Sequence, residues 1–122
     1  MKIKIFTGDI ETIAELGNTP TAKAIYERLP LDGAANIWGD EIYFVIPIRI
    51  DMEKDATEVV EEGDVAYWPE GMCFCIFFGK TPASKEDEIR AASKVNIFGK
   101  IIGDSKVFKS VHNGDLIIVE KG

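Results

Sequence analysis

The stretch EGDVAYWPEGMCFCIFFGKTP, residues 62–82, decides the fold. Its first part, Val65–Trp68, carries β-branched and aromatic residues, and Pro69–Gly71 supplies the fixed φ and the flexible residue that a turn needs. Met72–Phe78 contains no charged residue, which is typical of a strand buried on both faces. Pro82 ends this strand because proline cannot donate a ladder hydrogen bond. The stretch therefore predicts a buried β-hairpin.

Short segments with strand character continue on both sides of this hairpin. Two helices are also predicted, from Pro20 to Leu29, capped by Asn18 or Thr19, and within Asp104 to Val111. The remaining predicted strands are Lys2–Phe6, Glu11–Leu16, Ala34–Trp38, Glu41–Ile50, Val95–Ile102 and Asp115–Lys121.

Two polar stretches are predicted to lie outside the regular structure. Met52–Glu62 is acidic and is interpreted as a solvated segment, and Ala83–Lys94 is interpreted as a long loop. With about eight short strands and two short helices, residues 1–122 are predicted to form a single mainly β domain. The pattern favours an antiparallel barrel or sandwich whose open ends are covered by helices.

The composition restricts the classes of partner. The net charge of −7 and the lack of clustered Lys and Arg argue against nucleic acid or an anionic membrane surface. No apolar run is long enough for a signal peptide or a membrane span, so we expect a cytoplasmic protein. Cys73 and Cys75 lie two apart on one face of a strand, a poor geometry for a disulfide, and are interpreted as buried free thiols.

Common catalytic motifs are missing from the sequence. It has no phosphate-binding glycine loop, no nucleophile elbow and no metal-ligand motif, and its single histidine is His112, so we expect neither a cofactor nor a metal. Glu41, Asp64 and Glu70 flank turns near aromatic residues. They are interpreted as solubilising residues at hairpin ends, with a general acid as the alternative.

Aromatic residues are concentrated beside the predicted turns. In an alternating strand, Phe74 and Phe78 share one face and Phe77 lies on the other, so one set can fill a barrel while the other lines a surface groove. Each aromatic residue has core packing as its ordinary alternative.

Several passages resemble cyclophilins, the peptidyl-prolyl isomerases. Phe77 and Phe78 end one strand, and the segment VNIFGKIIG, Val95–Gly103, follows after a loop. The whole chain resembles a small prokaryotic branch of the cyclophilin-like superfamily. The passages that carry this closer resemblance are NIWGDEIYF (Asn36–Phe44), GDVAYWPEG (Gly63–Gly71), CIFFGKTP (Cys75–Pro82) and ASKVN (Ala92–Asn96).

The resemblance implies a closed eight-stranded antiparallel β-barrel with two short capping helices. It also implies an outer groove that takes a proline ring, with Phe78 at the position of a pocket phenylalanine. The chain departs from the cyclophilin pattern in the groove. Ala34–Trp38 holds no arginine to bind the isomerising amide, the Gln-Gly-Gly segment is absent, and Val95 stands where a histidine is expected.

Two functions follow from these observations. The first is a binding module that holds an extended peptide, with or without proline, or a small ligand. The second is an atypical isomerase in which Arg49 or Arg90 replaces the missing arginine. A third interpretation, a subunit whose aromatic face is buried against a partner, of which a homo-oligomer is one form, stays open. The catalytic residues are unknown. The predicted ligand-binding residues are Trp38, Tyr67, Trp68, Phe78 and Asn96.

Overall fold

The computed structural model describes all 122 residues, with ten strands and two helices. The helices are α1 (Pro20–Arg28) and a 3₁₀ helix (Ser105–Ser110). Neither has the length and apolar character needed to cross a membrane. The strands are β1 (Lys2–Thr7), β2 (Ile10–Leu16), β3 (Leu31–Ala34), β4 (Asn36–Ile37), β5 (Glu41–Val45), β6 (Thr57–Val60), β7 (Asp64–Trp68), β8 (Cys73–Phe77), β9 (Ile89–Ile102) and β10 (Leu116–Lys121).

Nine strands form one antiparallel sheet in the order β3-β10-β1-β2-β9-β7-β8-β5-β4, and β6 pairs with β9 outside this order. The predicted hairpin of residues 62–82 is present as β7 and β8, with Val65 opposite Ile76 and Trp68 opposite Cys73. The prediction of a mainly β, antiparallel domain with two short helices is therefore confirmed.

Hydrogen bonds do not close this sheet into a barrel. Its two end strands, β3 and β4, are consecutive in the chain and are separated only by Ala35. The gap between β3 and β5 is filled by the buried ring of Phe44, which lies directly against Gly33. The predicted closed eight-stranded barrel is thus not confirmed, because side-chain packing takes the place of the last ladder.

The inner face of the sheet encloses the larger of two apolar clusters. Phe74 and Phe78 belong to this inner cluster, whereas Phe77 belongs to the outer one, so the predicted separation of these residues by strand parity is confirmed. Both helices contribute to the inner cluster, through Ile25 of α1 and Phe108 of the 3₁₀ helix.

The outer cluster lies beneath a second layer of strands. The first half of β9, Ile89–Val95, pairs with β6, and Ala91, Val95 and Val60 cover the outer side of β7 and β8. The prediction that Ala83–Lys94 forms a loop is therefore wrong from Ile89 onward, where the chain belongs to β9. The acidic segment Met52–Glu62, which was predicted to lie outside the regular structure, contains β6. Both segments are polar because one face of each strand is in water. The other face packs against apolar residues of the outer cluster once the protein is folded.

Several element boundaries also differ from the prediction. The predicted strand Ala34–Trp38 is two short strands on either side of Ala35, and the strand from Glu41 ends at Val45, two residues before Pro47. Helix α1 begins as predicted, since the Thr19 hydroxyl accepts a hydrogen bond of 3.0 Å from the Ala22 amide.

Adding a methyl group at Gly33 should destabilise the protein. A Cβ there would lie 2.8 Å from Cδ2 of Phe44, whose ring is fully buried and cannot move aside. We expect Gly33→Ala to lower the free energy of unfolding by ~1–3 kcal/mol, measured by denaturant unfolding. Gly17→Ala is the matched control, because its Cβ would meet no atom closer than 3.8 Å. Equal effects of the two substitutions would contradict this account of the sheet ends.

Candidate functional site

A small cavity opens between the outer face of the sheet and the second layer. Its volume is about 70 Å³. Six of its seven lining residues are apolar or aromatic, and the seventh is an acid. The lining residues are Trp38, Glu41, Tyr43, Trp68, Ala91, Ala92 and Val95. A well-formed apolar cavity with one polar group is the typical form of a ligand site.

The turn between β4 and β5 positions Trp38 and Glu41. The backbone amides and carbonyls of these two residues bond to each other at 3.0 and 3.2 Å. Gly39 adopts a positive φ of 61°, and a Cβ there would lie 2.9 Å from the backbone of Thr81. The Asp40 amide bonds to the Lys80 carbonyl. The turn is therefore fixed against the segment after β8, and Trp38 with it.

The other aromatic walls come from β5 and β7. Tyr43 and Trp68 meet edge to face, with ring centroids 6.3 Å apart and planes 81° apart. The Trp68 indole donates a hydrogen bond of 2.6 Å to the Ser93 hydroxyl on β9. Because Ala91 and Ala92 carry only methyl groups, β9 leaves open space opposite these rings. The cavity thus results from large residues on the sheet and small residues on the covering strand.

Glu41 is the single ionisable group of the cavity besides Tyr43. Its side chain is buried, with the residue only 5% exposed, and it forms no ion pair with any Lys, Arg or His. Burial raises the pKa of Glu41 from 4.5 to about 7, and a hydrogen bond with the Cys75 side chain acts in the opposite direction. The interpretation of Glu41 as a solubilising residue is wrong, because the side chain is buried in a cavity that residues of β9 cover.

Asp64 and Glu70 have different roles. Asp64 is also buried, contrary to prediction, and its carboxylate accepts a hydrogen bond of 2.8 Å from the Glu61 amide in the turn before β7. Glu70 is exposed as predicted. Neither residue lines the cavity.

The two cysteines lie beneath the cavity as free, buried thiols, as predicted. Burial raises the pKa of both thiols, and the nearby Glu41 carboxylate raises them further. They are therefore protonated at neutral pH and are poor nucleophiles.

The structure separates the five predicted ligand-binding residues. Trp38 and Trp68 line the cavity together, while Tyr67 and Phe78 are fully or almost fully buried in the inner cluster. The Tyr67 hydroxyl donates to the Ile48 carbonyl at 2.7 Å, and Phe78 packs against Phe108. Tyr43 and Glu41 were not among the predicted ligand-binding residues, although the alternation of β5 places both on the side opposite Ile42 and Phe44.

Asn96 is also buried, and its amide group is used within the protein. Its oxygen accepts a hydrogen bond from the Glu53 amide at 2.9 Å, and its nitrogen donates to the Asp51 carbonyl at 2.9 Å and to the Thr21 hydroxyl at 3.1 Å. These bonds join β9 to helix α1 and to the segment before β6. In this arrangement Asn96 has no donor directed at the cavity.

Comparison with known proteins identifies the family. The family model described as cyclophilin-like matches residues 1–120. This chain belongs to the cyclophilin-like family. The solution structure of a hypothetical protein from Archaeoglobus fulgidus is similar to this cyclophilin-like protein over 100% of the chain and 95% of the archaeal one, with 41% identity and a TM-score of 0.83. No protein of curated function matches the chain significantly.

Neither candidate arginine of this cyclophilin-like protein lines the cavity. Arg90 forms ion pairs with Glu88 at 2.9 Å and with Glu58 at 3.6 Å. Arg49 is exposed on the segment after β5. The cavity therefore contains no arginine side chain.

The stability of this cyclophilin-like protein should depend on pH through Glu41. Between pH 4.5 and about 7 the folded state holds the Glu41 proton and the unfolded state does not, so stability falls as pH rises through this range. At pH 8 we expect the free energy of unfolding of Glu41→Gln to be higher than that of the wild type by on the order of 3 kcal/mol. Near pH 4 the two proteins should be equally stable.

Denaturant unfolding of both proteins between these pH values measures this difference. Glu70→Gln, which changes an exposed acid, serves as the control and should show no such trend. A stability difference between Glu41→Gln and wild type that is independent of pH would contradict the assignment.

Removing the Asn96 amide should destabilise the protein. Asn96→Ala leaves the Glu53 amide and the Asp51 carbonyl without their partner, and we expect a loss of ~2–4 kcal/mol in unfolding free energy. Asn18→Ala is the matched control, since Asn18 is exposed and its side chain makes no hydrogen bond. If Asn96→Ala lowered the unfolding free energy no more than Asn18→Ala, the Asn96 hydrogen bonds would not stabilise the fold.

Proposed function

We propose that this cyclophilin-like protein is a binding module whose site is the cavity between Trp38 and Trp68. The observation that carries the proposal is the combination of three aromatic walls with one buried carboxyl group in a cavity at the surface. Aromatic rings give a ligand large apolar contact at low cost in side-chain entropy, and a single polar group orients it.

The size of the cavity limits the bound group. Sites for drug-sized ligands have volumes of about 300–1,000 Å³, and this cavity has about 70 Å³. It accommodates one side chain of an extended peptide or the head group of a small ligand. The rest of such a ligand would lie outside the cavity, on the protein surface.

The larger clefts on the surface are less suitable for binding a ligand. The largest, about 620 Å³, is lined mainly by charged residues, and the charges of Lys106 and Glu62 already pair across 2.9 Å. It lacks the apolar walls that would hold a ligand out of water. The isomerase alternative has no observation in its favour, because both candidate arginines lie away from the cavity.

Tryptophan signals provide a direct test, because the only two tryptophans of the chain both line the cavity. We would follow the two indole NH signals by NMR while adding small probes one at a time. The probes are choline, its uncharged analogue dimethylbutanol and N-acetylproline amide. We expect at least one probe to shift both signals, and Trp38→Ala to weaken its binding about tenfold or more.

Val45→Ala is the matched control, since Val45 follows Tyr43 on the same face of β5 but lies outside the cavity. This substitution should leave the affinity unchanged. The proposal would be overturned if no probe moved either indole signal, or if Trp38→Ala bound the probes as the wild type does. Exchange between the cis and trans signals of the proline probe would revive the isomerase alternative.

A further inference from the structure

The Glu41 carboxylate lacks a cationic partner within the protein. Every close ion pair of a lysine or arginine in the protein involves an acid other than Glu41. In the cavity wall, the neighbours of Glu41 are aromatic or aliphatic. A buried ionised carboxylate without a partner is costly, and a buried charge is normally paired or neutralised. A positively charged ligand would supply the missing partner.

The aromatic walls favour the same kind of ligand. Trp38, Tyr43 and Trp68 surround the space into which Glu41 faces, and the rings of Tyr43 and Trp68 are nearly perpendicular. The faces of such rings carry partial negative charge and attract cations, and tryptophan does so most strongly. Aromatic rings arranged around an ammonium group bind it through several faces at once.

The charge of the site disfavours the other classes of ligand. An anion would lie beside the Glu41 carboxylate in a protein of net charge −7, and repulsion would oppose its entry. An uncharged ligand would gain the apolar contact but would leave the carboxylate unpaired. A cation with an apolar surface satisfies both the rings and the acid.

We propose that the cavity binds an alkylammonium group, with Trp38, Tyr43 and Trp68 around its carbon atoms and the Glu41 carboxylate as its counter-ion. This inference rests on the function proposed above. The same chemistry occurs in a free amine such as choline and in a methylated lysine side chain, and a volume of about 70 Å³ fits a single head group of either source.

Binding of the cation should depend on pH. The pKa of Glu41 is raised by burial to about 7, so the carboxylate is mostly protonated at pH 6 and mostly ionised at pH 8. The other titratable groups that face it are Tyr43 on β5 and the thiols of Cys73 and Cys75 on β8, while β9 contributes only uncharged residues. We expect choline to bind more tightly at pH 8 than at pH 6, by about threefold or more, because the neutral form keeps only the contact with the aromatic rings.

The experiment compares choline with dimethylbutanol, in which a carbon atom replaces the nitrogen and the shape is kept. Titrations of tryptophan fluorescence at pH 8 give both affinities for the wild type, for Glu41→Gln and for Glu70→Gln. We expect the wild type and the Glu70→Gln control to prefer choline by about tenfold or more. In Glu41→Gln this preference should fall to about threefold or less, with dimethylbutanol binding unchanged.

A second arm identifies the source of the ammonium group. A short peptide carrying trimethyl-lysine is titrated beside choline, and tighter binding of the peptide would assign a side chain, whereas tighter binding of choline would assign a free amine. Equal binding of choline and dimethylbutanol to the wild type, or a choline preference that survives in Glu41→Gln, would overturn the inference while leaving a binding cavity. Failure of every probe to affect the tryptophans would instead overturn the function proposed above.

Discussion

Three hydrogen bonds of the buried Asn96 amide hold the two layers of this protein together. Asn96 stands where β9 changes partners, since it faces Tyr67 of β7 while the preceding Val95 faces Thr57 of β6. The bonds to Asp51 and Glu53 fix the chain that leads into β6. Without these bonds the segment that leads into β6 would lose its polar anchor on β9, at the point where the covering half of β9 begins.

The inner sheet could be predicted from the sequence because its signals are local. Alternating apolar residues, the Gly39-Asp40 turn and the Pro69–Gly71 turn specify hairpins within a few residues of themselves. Strand parity also assigned Phe77 and Phe78 to opposite sides. The closure of the sheet was not predictable in this way, because it depends on side-chain packing of the Phe44 ring against Gly33 and not on a strand pairing that a sequence pattern signals.

The outer layer and the site were predicted only in part. Trp38 and Trp68 were selected because they lie beside turns, and they do share a cavity. Glu41 was misinterpreted because an acid at a hairpin end is usually in water, and its burial depends on a covering strand that has weak sequence signals. Phe78 was selected through the family resemblance and Asn96 for the donor and acceptor of its amide group, yet Phe78 packs in the interior and Asn96 bonds within the junction between the layers.

The hydrogen bond from Trp68 to Ser93 has a consequence for how a ligand would bind. It joins a wall of the cavity to its cover, and the cover is itself a strand paired with β6. Side chains and backbone here are already ordered before any ligand arrives, so little conformational entropy would be lost on association. A rigid site of this kind would gain affinity from its preorganisation, and it would select ligands by shape because it could not adapt to them.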